Sequence, residues 1–317
     1  MSRIEQFLLG GGRNRAAIHI GLVNNMPDAD MRATELQFAR LLKESAGALD
    51  VRLRLFSLGG IARGELARSR MDGFYDDAAF LPAANLDALI VTGADDASSQ
   101  AYWPELAELI DWAKGGTLST LFSGEAAGTA VMHLDGIVRR PLARKISGVF
   151  PAMRMEDDPL FFGMPLTTPV PHARRDDIAE ADLVEKGYRI LARLANGQVD
   201  MFTREPAGQS RFVFLQGHPE YDRGTLGRDY LRDIEAFQRG ELAAPPSVPE
   251  NYFDRATEDQ LTEMGAADGA REIVAGAVTL QSWKLHTARL FGNWLTLVAA
   301  AKARRMASRI VHTRKRA

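Results

Sequence analysis

The sequence predicts an α/β protein built on a doubly wound, mostly parallel sheet flanked by helices. Three observations carry this. Short apolar runs recur along the first half of the chain and alternate with segments of helical period. The loops that could hold a ligand fall at the ends of those runs, where a doubly wound sheet opens its crevice. A length of 317 residues with 46% hydrophobic and 25% charged residues is enough to bury one large core.

Residues 17–23 form the first apolar run and read as a buried parallel strand. Asn24-Asn25-Met26-Pro27-Asp28 follows as a loop, with Asp28 or Asp30 able to cap the next helix. Phe38, Leu41, Leu42 and Ala46 share one face of that helix and should pack on the sheet. Residues 51–56 alternate apolar and basic side chains, as a strand nearer the sheet edge would. Residues 86–92 are the next buried strand, ending at Thr92 and Gly93. Pro104 opens a helix whose stripe is Leu106, Leu109, Ile110 and Ala113. Residues 118–122 form a further strand, and a helix over about 125–134 follows it directly.

The second half supplies strands at 188–194, 199–203 and 211–215, then a helix with Leu226, Tyr230, Ile234 and Phe237 along its core stripe. Residues 240–280, with Ala244-Pro245-Pro246 and an acidic, Gly/Ala-rich stretch, read as a mobile insertion or lid. A last long helix runs from near Ser282 to beyond Ala300. The expected organisation is an N-terminal extension (1–15), one α/β domain (16–300) and a basic C-terminal tail (301–317).

A formal net charge of −2 gives no global pull toward nucleic acid or an anionic membrane. Lys302, Arg304, Arg305, Arg309, Arg314, Lys315 and Arg316 crowd the end, which reads as a solvated, frayed helix terminus. There is no cysteine, so disulfides, thiolate metal sites and a cysteine nucleophile are all excluded. The apolar run near Met1 is too short for a signal peptide, and no stretch of about 18 apolar residues exists. The expectation is a cytoplasmic enzyme or binding protein with no metal and no bound cofactor.

Two motifs carry chemistry. In Gln216-Gly217-His218-Pro219-Glu220-Tyr221-Asp222, alternation in an extended segment puts His218 and Glu220 on one side, with Pro219 stiffening the loop. A carboxylate on one ring nitrogen fixes the imidazole tautomer and frees the other as a base; a histidine bonded across a loop would look the same. The second motif is the strand-to-helix elbow Thr120-Leu121-Phe122-Ser123-Gly124-Glu125-Ala126-Ala127-Gly128. Such an elbow exposes a nucleophile on a strained backbone and offers helix amides to an oxyanion, here at Gly124 and Glu125. Gly124 tolerates the strain and has nothing to attack with. Ser123 carries an oxygen one residue too early.

Several segments together resemble the homoserine O-succinyltransferase/O-acetyltransferase family, which has a class I glutamine-amidotransferase-like fold. They are Asn24 to Pro27, Ala33 to Leu42, Leu89 to Ala94, Ala101 to Pro104, Lys145 to Phe150, Pro171 to Arg174, Gly217 to Asp222, Asn251 to Phe253 and Asn293 to Leu295. They occur in the family's order. The resemblance implies a homodimer, an acyl-CoA co-substrate (succinyl-CoA or acetyl-CoA) and an amino-acid acceptor. It implies His218 as base, Glu220 as its partner, and Arg232 and Arg174 as substrate-site arginines. Tyr221, Asn25, Thr92 and Gly93 complete the substrate-side set.

The departures cluster at the site. Ungapped anchoring on Ser119 to Phe122 and on Gly136-Ile137 puts Gly124 where the family carries its acyl-accepting cysteine. The usually basic loop after Pro27 reads Asp28-Ala29-Asp30, the loop from Ala94 to Ala101 looks shortened and holds Asp95 and Asp96, and Ala173 stands for a usual serine. Those acids should oppose a succinyl carboxylate or CoA phosphates. Three readings stay open: acyl transfer without a cysteine (direct, or through Ser123), a non-catalytic binding homologue, and other chemistry, such as lyase or hydrolase action, in the same crevice.

Overall fold

The computed structural model describes residues 7–8, 17–93, 101–266 and 269–314. The loop with Asp95 and Asp96, most of the N-terminal extension and the last three residues lie outside the described residues.

One sheet gathers β1 (Phe7–Leu8), β2 (Ile18–Asn25), β3 (Val51–Ser57), β4 (Tyr75–Asp77), β5 (Ala88–Gly93), β6 (Ser119–Ser123), β7 (Arg140–Arg154), β8 (Thr167–Asp177), β9 (Arg189–Leu194), β10 (Val199–Arg204) and β11 (Arg211–Leu215). Its order is β1-β3-β2-β5-β6-β11-β10-β9-β7-β8, with β4 beside β3. The core from β4 through β3, β2, β5 and β6 to β11 is parallel. From β11 outward every pairing is antiparallel. The doubly wound fold therefore stands, and a hairpin-built wing extends it.

Alternation along the strands feeds two cores. Ile18, Ile20 and Leu22 of β2 face α1 (Asp28–Ser45) and α9 (Lys284–Arg314), where Phe38, Leu41, Leu42, Phe291 and Trp294 are buried. Val91 and Phe122 face the other side, toward α3 (Trp103–Gly116) and α4 (Glu125–Asp135). Beneath the elbow, Phe122, Phe214 and Phe202 stack at centroid spacings of 5.2 and 4.7 Å. The helices α2 (Glu65–Met71) and α5 (Glu180–Glu185) are short connectors.

The stretch expected as an insertion carries α7 (Arg255–Met264) and α8 (Ala270–Gly276), which close a third core over α6 (Thr225–Gln238). Leu226, Tyr230 and Ile234 of α6 are buried there with Tyr252, Phe253 and Trp283. Phe237 is only half-buried, because the last turn of α6 runs past the edge of this core. The basic tail continues α9, and Lys302 is tied to Asp87 and to the carbonyl of Ala17, each at 2.6 Å. Among the described residues no helix is long and apolar enough to cross a membrane.

Candidate active site

Parallel pairing of β6 with β11 sets Ser123 opposite Leu215 and so brings the elbow level with the loop that follows β11. The Gly124 N–H donates to the Leu215 carbonyl at 2.8 Å. That bond extends the ladder through the elbow and removes Gly124 from the expected pair of oxyanion donors. The Glu125 N–H, first in α4, lies where the helix dipole favours negative charge. Gly124 adopts φ 61° and ψ −127°, which is strained for any residue with a Cβ.

Four bonds fix the loop carrying His218. The Gln216 N–H donates to Asp200 O and the His218 N–H to Pro171 O, both at 2.8 Å. Trp283 Nε1 donates to Tyr221 O at 3.1 Å, and Tyr252 donates to Arg223 O. So fixed, His218 Nδ1 lies 2.9 Å from Glu220 Oε1, and its ring stacks on Tyr221 at 4.3 Å and 8°. With a proton on Nδ1, Nε2 is left with a lone pair. A Cβ added at Gly124 would stand 2.4 Å from His218 Cε1 and 3.1 Å from Nε2. The imidazole fills the space where a nucleophile's side chain would begin.

Ser123 turns to Glu220 and not to His218. Its buried hydroxyl donates to Glu220, 3.4 Å from either oxygen, because strand alternation turns it away from the elbow's open side. Glu220 thus holds both His218 and Ser123.

Of the carboxylates expected to repel anions, Asp28 and Asp30 are compensated. Asp28 caps nothing at its own helix; it accepts from the Gly64 N–H at 2.8 Å and pairs with Arg63 at 3.1 Å. That backbone bond holds its carboxyl below the usual range, with Arg63 adding to the effect against its modest burial. Asp30 is not a cap either, since both its oxygens take Arg232 Nη1, at 2.5 and 2.6 Å. Arg232 also reaches Asp229 at 3.2 Å, and Lys145 ties Asp229 and Asp233 together at 2.5 and 2.7 Å. Burial pushes the Asp229 carboxyl up, and the charges of Lys145 and Arg232 overcome it, leaving it lowered. Tyr221 is driven well above the ordinary phenol range by burial, then by Asp229 and Glu220, so it stays protonated.

Arg174 is 5% exposed and borders the elbow space with Gly124 and His218. Its Nη1 meets Asp177 Oδ1 at 2.7 Å and Asp176 O at 2.6 Å, while Nε and Nη2 have no hydrogen-bond partner among the described residues. Asn25 and Thr92, at the ends of β2 and β5, likewise keep buried polar atoms unpartnered. Gly93, at φ 72°, allows that junction: a Cβ there would sit 2.8 Å from the Asn25–Met26 peptide. The elbow space itself is about 10 Å³, room for a single water at most, because Arg139 pairs with Glu125 and Asp176 across it.

Sequence reasoning missed three supports. Buried Arg63 stitches the loop after β2 through the carbonyls of Met26 (2.5 Å) and Asn24 (3.0 Å). Arg139 closes the elbow. Behind Gly217, the fully buried His172 sets Nε2 at 3.1 Å from Asp200 Oδ1. Only the Pro-His-Ala-Arg segment signalled any of these.

The family model for homoserine O-succinyltransferase matches residues 12–304. The chain is 45% identical over 297 residues to a homoserine O-succinyltransferase of Rhodopseudomonas palustris, covering 89% of each. It is 43% identical over 296 residues to one of Methylorubrum extorquens, covering 89% of this chain and 87% of the relative. A solved glutamine amidotransferase of Thermotoga maritima aligns over 90% of this chain and 99% of its own, with 11% identity and a TM-score of 0.49.

Proposed function

The chain belongs to the homoserine O-succinyltransferase family and is an acyltransferase, and we propose that it moves the acyl group by direct transfer, with His218 as base and no acyl-enzyme. The donor is an acyl-CoA, succinyl-CoA first and acetyl-CoA second, and the acceptor is the hydroxyl of an amino acid such as homoserine. The observation that carries this is the base at the elbow. His218 is held through Nδ1 by Glu220, and its other nitrogen faces a glycine in a chain without cysteine.

In this reading the acceptor hydroxyl attacks the thioester carbonyl as His218 Nε2 takes its proton. The Glu125 N–H, at the start of α4, stabilises the oxyanion. The carbon–sulfur bond then breaks, and the leaving thiolate recovers the proton from the imidazolium. Ser123 orients Glu220. Arg232 receives the acceptor's carboxylate, and the two unpartnered nitrogens of Arg174 suit a second one, as on a succinyl chain. Entry of either substrate requires Arg139 to swing from the elbow.

The test is CoA release from succinyl-CoA and acetyl-CoA with homoserine, together with intact mass of the protein during turnover. Acceptor-dependent release, lost in His218→Ala and without an acyl adduct, supports direct transfer. An adduct on Ser123 would replace it with the serine route.

A further inference from the structure

Resting on the acyl-transfer reading, we propose that Asp30 is the subsite for the acceptor's α-ammonium group, and that the Asp30–Arg232 ion pair is opened by the substrate's own zwitterion. The pair joins the first turn of α1 to α6 across 202 residues of sequence. It stands beside the proposed base: Tyr221, stacked on His218, packs against the core that buries Leu226, Tyr230 and Ile234 of α6, and Arg232 is on that helix.

An incoming α-amino acid brings one carboxylate and one ammonium. Its carboxylate can take the guanidinium that Asp30 now occupies, and its ammonium can take the carboxylate so released. Every charge stays paired, and each new contact is of the kind it replaces. The exchange is cheap, because the side chains are 47% and 28% exposed and such pairs add little stability. Arg232 need not move, since Asp229 still holds its Nη2 and Lys145 holds Asp229 from behind.

A hydroxy acid without the amine meets the opposite situation. Its carboxylate would displace Asp30 and leave that carboxylate with no cation. The ion pair therefore selects zwitterions over simple anions, by penalising the wrong ligand as much as by binding the right one.

The experiment compares homoserine with 4-hydroxybutyrate, which lacks only the ammonium, on the wild-type chain and on Asp30→Asn. Calorimetry gives Kd, and acyl-CoA turnover gives KM. The wild type should favour homoserine. Asp30→Asn should weaken homoserine by on the order of tenfold to a hundredfold, as for a lost charged hydrogen bond, and should not weaken 4-hydroxybutyrate. That second acid also reports that the variant's site is folded. If Asp30→Asn tightens both acids alike, Asp30 is only a competitor for Arg232 and the proposal falls. Unchanged affinity for homoserine overturns it as well, with the acyl-transfer reading intact. A wild type that binds neither acid and turns over neither overturns both.

Discussion

Adding one methyl group at the elbow should displace the proposed base, His218, without replacing it. In Gly124→Ala the new Cβ lies 2.4 Å from His218 Cε1, so the imidazole must retreat by about 1 Å to reach an ordinary contact. Alanine at φ 61° and ψ −127° adds backbone strain of about 1–3 kcal/mol. Losing the bond between His218 and Glu220 adds about 1.5–3 kcal/mol. A base displaced by an ångström should lower turnover by about a hundredfold. Urea unfolding followed by tryptophan fluorescence reads the first effect, and CoA release reads the second. Gly124→Cys should fail in the same way, because the ring occupies the place the thiol needs. A Gly124→Ala variant with wild-type stability and rate would refute the reasoning, since His218 would then not be seated against the elbow.

Three further outcomes follow from the same contacts. Ser123→Ala removes a long bond to Glu220, so turnover should fall only a few-fold, at about 1 kcal/mol of stability, whereas a nucleophilic serine would lose everything. Lys145→Met leaves Asp229 and Asp233 facing each other without their shared cation; chemical denaturation should show a loss of about 2–3 kcal/mol and homoserine binding should weaken. Burial lowers the pKa of His172, against the pull of Asp200 and with help from Arg174 and His218. The unfolded chain therefore binds the proton more readily, and this contribution to stability is complete above pH 6.5 and declines as pH falls toward the folded value. Melting temperatures from pH 5 to 8 should show the wild type losing its margin over His172→Gln on the acid side, and a constant margin would contradict this.

The parallel core was legible because its strands are short segments with an apolar centre, buried on both faces, as in β2, β5 and β6. The hairpin of β7 and β8 was not. Prolines at 141, 151, 169 and 171 and an exposed, basic first half hide its strand period, and its buried side chains are split between two cores, Val149 with residues of α6 and Ala152 with those of α1 and α9. At the site, the His-x-Glu spacing announced the pair, but a turn closed by the Tyr221 N–H on the His218 carbonyl at 3.1 Å, and not strand alternation, sets His218 beside Glu220. The partners of Asp28 and Asp30 were out of reach, because Arg63 and Arg232 come from other elements and nothing local announces them. The same distance hid the neutralisation of the acidic loop, which composition alone makes look hostile to anions.

Isotope exchange separates transfer without an acyl-enzyme from the covalent route. Labelled CoA is incubated with succinyl-CoA and the chain, with and without homoserine. Direct transfer predicts no label entering succinyl-CoA until homoserine is present, together with homoserine-dependent CoA release that disappears in His218→Ala. Exchange in the absence of homoserine would require a covalent acyl-enzyme and would contradict the account.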